Sequence, residues 1–263
     1  MAEWMNAGYP DETARKAFRS LSLDACGVTM AVAAVLIGAM RFFGERLGMD
    51  TTAATMAFVL YAAISAVALG NLHAHGHGRF GVANIVTTIR AAITAALGGL
   101  VLASSQFGPA SSDGSLWLAG LVIAFALALD GVDGYLARRT GTASRFGARF
   151  DMEVDALLIL FLSLAAFLLD KAGIWVLLIG LMRYVYVTVQ RIFPALQREL
   201  SPSMRRKAIC VIQGVVLCLM LIPVVMPPVS TGLAVGALAS LVYSFAVDVI
   251  FLLQTGRGGR DAA

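Results

Sequence analysis

The chain has 263 residues, of which 59% are apolar and 14% charged, with a mean hydropathy of +0.82 and a formal net charge of +4. That profile excludes a soluble domain and a disordered chain, and it fits a protein that crosses a membrane several times. The small positive balance is explained by orientation across a bilayer and by anionic lipid, so nucleic acid is excluded as a partner.

Residues 1–22 are of mixed polarity and include ETARKAFRSL, which predicts either a short amphipathic helix on the membrane surface or a frayed polar tail. Nothing there resembles a cleaved signal. Apolar windows of about 20 residues then predict eight spans, at 23–42, 52–71, 83–104, 115–136, 150–170, 172–192, 207–226 and 229–254. The stretch LHAHGHGRFGV at 72–82 separates the first two spans from the rest. Its alternating His73, His75 and His77 have the makings of a metal site, but the interleaved glycines favour a solvated linker. The third span carries Ala91, Ala92, Ala95, Ala96 and Gly99, and the last carries Gly232 and Gly236. Both stripes let helices approach closely, within one protomer or between two, and a homodimer is the expected assembly. Cys26, Cys210 and Cys218 fall inside spans and read as small buried apolar residues.

If the N-terminus is cytoplasmic, 15 of the 20 Lys and Arg residues fall on the inside. Only Arg41, Arg46 and Lys171 lie outside, with Arg90 and Arg183 within spans. This bias predicts a multi-pass protein of the cytoplasmic (inner) membrane with both termini inside, and Trp117 and Trp175 at the outer interface.

Between Asp130 and Asp155 the chain reads DGVDGYLARRTGTASRFGARFDMEVD, which puts four aspartates at the cytoplasmic ends of two apolar helices. Asp130 and Asp133 are three apart and Asp151 and Asp155 four apart, so each pair shares a helical face. An ionised Asp at the centre of a membrane helix costs roughly 2.5–3.5 kcal/mol, and clustered ones repel each other. Oxygen-only ligation suits a hard cation such as Mg²⁺ or Mn²⁺, and two divalent ions would cancel four carboxylates.

Written with spacings, the segment is D-x2-D-G-x2-A-R-x8-G-x3-D-x3-D, filled by Asp130, Asp133, Gly134, Ala137, Arg138, Gly147, Asp151 and Asp155. It resembles the signature of the CDP-alcohol phosphotransferase family. Upstream, Asn84, Thr87 and Arg90 fit the N-x2-T-x2-R that often opens that family's first core helix. The resemblance covers about 83–254 and implies an all-α integral membrane bundle with a six-helix catalytic core there. The two additional N-terminal spans and linker at 23–82 come from the apolar windows, and the motif is silent on them. Residues 1–22 and 255–263 are then cytoplasmic segments. It further implies that Asp130, Asp133, Asp151 and Asp155 ligate two divalent cations, with Asp155 also the base that activates the acceptor hydroxyl. Asn84, Thr87, Gly134, Ala137, Arg138, Ser144 and Gly147 would bind the CDP moiety. The implied reaction is attack of an alcohol on CDP-diacylglycerol with release of CMP.

The acceptor is less determined. Arg149, Arg183, Arg191 and Lys207 would together suit a phosphorylated alcohol of the glycerol 3-phosphate or inositol phosphate type. The competing reading has Arg183 or Arg90 pairing with Asp248 in the last span and the loop arginines serving orientation alone. The family's familiar acceptor signatures, DPxADK and DSxxDR, are both absent: this chain reads DMEVDA, with Met152 and Ala156 at the variable positions. Glu153 lies off the aspartate face and is expected to meet a loop or a neighbouring helix. Two rivals remain: a CDP-choline or CDP-ethanolamine:diacylglycerol phosphotransferase, which has little use for the basic cluster, and a divalent-cation transporter, which would want its carboxylates midway across.

Overall fold

The computed structural model describes residues 12–74, 79–140, 144–193 and 203–258, with side chains at 16, 18–73, 79–131, 144–193 and 203–252. Among the described residues there are eight α-helices and no strand: α1 (Glu12–Leu47), α2 (Thr51–Gly70), α3 (Val82–Ala103), α4 (Asp113–Thr140), α5 (Arg145–Leu168), α6 (Leu177–Ile192), α7 (Met204–Leu221) and α8 (Val229–Gly258). Each predicted span falls on one helix, in order. Six helices are long and apolar enough to cross a membrane. The other two, α5 and α7, are excluded by charge: Asp151, Glu153 and Asp155 in one, Arg205, Arg206 and Lys207 in the other. The protein is an all-helical polytopic membrane bundle.

The N-terminal segment differs from expectation. From Glu12 it is continuous with the first span in a single 36-residue helix, about 54 Å long at 1.5 Å per residue. No proline interrupts it, and Leu21 and Ala25 are buried in one cluster with Leu72, Phe80 and Phe146. Gly48 ends it at φ +68, a left-handed conformation that glycine adopts without steric cost. The cysteines differ too: only Cys218 is buried, while Cys26 and Cys210 are exposed. A lipid-facing surface is as apolar as the interior, so hydropathy alone does not tell inward from outward positions.

The centre of the bundle is α5, whose Leu158, Phe161, Leu162, Ala165 and Ala166 are buried in one cluster with residues of α3, α4, α6, α7 and α8. Against it lies α3, the most enclosed of the six apolar spans, with 67% of its window buried against 11% for α1. A Cβ at Gly99 would come within 2.6 Å of the Ala57 amide nitrogen, and one at Gly98 within 2.6 Å of the Phe161 ring. The α3 backbone is therefore pressed between α2 and α5. The small-residue stripe of the third span serves packing inside the protomer, whereas Gly232 and Gly236 in α8 face open space.

At one end of the bundle, side chains tie the connections together. Asp50 caps α2 by accepting from the Ala53 amide at 2.8 Å, and also accepts from the backbone and hydroxyl of Ser105. These bonds hold its carboxyl below the ordinary carboxylate range, the Ala53 amide contributing most. Ser104 donates to the Gly48 carbonyl at 2.7 Å, fastening the α1–α2 connection to the α3–α4 connection. Lys171, between α5 and α6, is 3% exposed, and its ammonium donates to the carbonyls of Ile222, Pro223 and Val225. It thus satisfies acceptors at the C-terminal end of α7, where the helix dipole favours a cation. Burial pushes its pKa down, and Asp113 partly opposes that shift.

Candidate functional site

The aspartates stand at the other end. Asp130 lies in the C-terminal part of α4, and Asp151 and Asp155 lie in the second and third turns of α5. The α5 helix starts where it does because Ser144 is its N-cap, accepting from the Gly147 amide at 2.9 Å. Only a short connection joins α4 to α5, so the two aspartate-bearing ends meet. One oxygen from each of Asp130, Asp151 and Asp155 can be chosen so that all three lie within 4.8 Å of one another. Asp133, Gly134, Ala137 and Arg138 belong to α4, but their side chains, like His75 and His77, lie outside the described residues.

Arg90 of α3 reaches this cluster. Its side chain is fully buried, and one guanidinium nitrogen lies 2.9 Å from Asp130 Oδ1 and 2.5 Å from Asp151 Oδ1, while the other bonds Asp155. The expected alternative, pairing of Arg90 or Arg183 with Asp248, is not what the fold contains. Asp248 accepts from Arg205 at 2.5 Å and from Arg206 at 3.3 Å, and Arg205 also donates to the Ser244 carbonyl. The reason is position: the basic start of α7 lies alongside Ser244 and Asp248 of α8, whereas Arg90 sits on the face of α3 turned to α4 and α5. Arg183 pairs with Glu153, which accordingly meets α6.

The three carboxylates line a cavity of about 910 Å³. Asn84, Thr87, Ser144 and Gly147 also line its polar end, and Lys207 and Cys210 of α7 face it. Its walls continue into apolar residues, among them Leu127, Leu158, Val211, Val215 and Leu219. Gly214 belongs to this wall, and a Cβ there would come within 2.9 Å of Leu127. Gly147 has a more specific reason than general room: a Cβ would meet the Asn84 side-chain oxygen at 2.8 Å, so the glycine lets α3 and α5 close on each other at the site. Met152 lines the cavity, whereas Ala156 is buried in packing. Of the predicted acceptor residues the cavity takes in Lys207. Arg149, Arg183 and Arg191 are outside its lining, and Arg149 and Arg191 are exposed.

The donor set fits a hard divalent cation: carboxylate oxygens, close enough to share an ion and open to a cavity. Sequence reasoning left Arg90 out of this site. The signal was present, since Asn84, Thr87 and Arg90 recur every three residues and Arg90 is the one basic residue of an apolar helix that must find an anion.

A family model described as CDP-alcohol phosphatidyltransferase matches residues 80–249. No curated protein and no solved structure shows a significant match to the chain. The family match runs from the start of α3 into α8 and encloses every residue named around the cavity, so the chain belongs to the CDP-alcohol phosphatidyltransferase family.

Proposed function

We propose that the protein transfers a phosphatidyl group from CDP-diacylglycerol to a polar, phosphorylated alcohol, releasing CMP at the cytoplasmic face of the inner membrane. One observation carries this reading: a single cavity joins a carboxylate cluster to an apolar wall, which suits a donor with a charged diphosphate head and acyl tails. Asp130, Asp133, Asp151 and Asp155 would hold two divalent cations, Mg²⁺ or Mn²⁺. Bound there, the cations would supply charge neutralisation for the diphosphate and for the departing phosphate. Asn84, Thr87, Ser144 and Gly147, with Gly134, Ala137 and Arg138, would orient the CDP moiety. The acceptor oxygen attacks the lipid-bearing phosphorus, its proton passes to Asp155, and the bond to CMP breaks. Lys207, the cation of the predicted acceptor set that lines the cavity, favours an acceptor that carries its own phosphate over diacylglycerol.

The test is CMP release by purified protein in detergent with CDP-diacylglycerol, Mn²⁺ and a panel of alcohols offered singly. Metal-dependent release with a phosphorylated alcohol is the expected result. Release with CDP-choline and diacylglycerol instead would overturn the assignment of donor and acceptor.

A further inference from the structure

Arg90 brings a full positive charge, with no exposure to solvent, into contact with three carboxylates from two other helices. Its planar fork can engage several oxygens at once, which an ammonium on a flexible stem cannot do in the same way. Divalent cations bound by Asp130, Asp151 and Asp155 would draw on the same carboxylates and repel the guanidinium at close range. Like charges a few ångströms apart inside a protein interact strongly, so neither cation can be indifferent to the other.

We propose that Arg90 is an internal counter-ion of the carboxylate site, a positioning residue that holds Asp130, Asp151 and Asp155 together without metal and moderates how tightly divalent cations bind. This rests on the reading that those aspartates ligate metal. Two consequences follow from the one contact set. Removing the charge leaves the acidic cluster to repel itself in metal-stripped protein. It also removes a competitor for the carboxylates, so metal binds more tightly.

The experiment compares wild type, Arg90→Gln and Arg90→Lys in detergent, with Mn²⁺ alone as the probe. The readouts are Mn²⁺ binding by electron paramagnetic resonance and the melting temperature with Mn²⁺ or with EDTA. Expected for Arg90→Gln is a lower melting temperature in EDTA, a larger rise on adding Mn²⁺, and a dissociation constant lower by about tenfold. Arg90→Lys is expected to fall between Arg90→Gln and wild type. Unchanged or weaker Mn²⁺ binding in Arg90→Gln, with wild type binding normally, overturns the counter-ion role alone. Absence of Mn²⁺ binding by wild type overturns the metal reading and this proposal with it. If Arg90→Gln does not fold even with Mn²⁺, Arg90→Lys decides: tighter binding with a lower EDTA melting temperature supports the proposal, and wild-type values in both overturn it.

Discussion

Two buried cations stand at opposite ends of the bundle, and their surroundings differ in kind. Lys171 meets neutral groups, the backbone carbonyls just past the end of α7 and the Met226 sulfur. Arg90 meets carboxylates, whose combined charge exceeds what one guanidinium can neutralise. The first arrangement is complete with its ammonium in place and has no use for a further ion. The second sets its carboxylates beside a cavity as well as beside the guanidinium. The difference teaches that a buried charge marks chemistry when its partners are themselves charged and face open space, and marks construction when they are main-chain atoms in a closed corner.

The strongest way to break the comparison is at the carboxylate end. Asp155→Asn should lower CMP release by about 10²–10⁴-fold, the usual worth of a general base, while a fluorescent CDP-lipid still binds. Wild-type turnover would remove Asp155 from the chemistry. At the other end, Lys171→Met should take the ammonium donor from the Pro223 and Val225 carbonyls and cost about 1–3 kcal/mol in detergent unfolding, with turnover per folded molecule unchanged. A fall in turnover without a fall in stability would show that the two ends are not separate in role. Between them, Gly99→Ala forces a methyl group against Ala57 and should cost about 1–3 kcal/mol, also leaving turnover per folded molecule intact. The smallest effect belongs to Asp50→Ala, read as a slight drop in melting temperature. Because the Asp50 pKa is lowered on folding, its contribution is present above the ordinary carboxylate range and is lost as pH falls through the folded value. The variant should therefore differ from wild type at neutral pH and converge with it in acid.

The helices and the aspartates were legible in the sequence for the same reason: both concern the cost of placing a group in lipid. Eight apolar windows had to be helices because backbone groups there can bond only to each other. Asp130, Asp151 and Asp155 had to converge because isolated charges would not be tolerated. Which way a helix faces was much less legible. Cys26 and Cys210 point outward or into the cavity, and the partners of Arg90, Arg183 and Asp248 were exchanged, because pairing depends on which helices lie side by side. The length of α1 was hidden for another reason, since its first turns are too polar for a hydropathy window, and its first buried residues among those described are Leu21 and Ala25.

The seam at Gly99 bears on how such a protein is made. The α3 helix carries Asn84, Thr87, Arg90 and Thr94, all buried in the finished fold and all costly for a lone helix resting in lipid. Its carboxylate partners come from α4 and α5, which the ribosome delivers later. The surface that receives Gly99, at Ala53 and Ala57 of α2, is delivered before it. In chain order the wall that receives Gly99 therefore precedes α3, whose Asn84, Thr87, Thr88, Arg90 and Thr94 are buried, and the carboxylates that Arg90 pairs with follow it. The protein surface against which α3 packs thus exists before the charges its arginine meets.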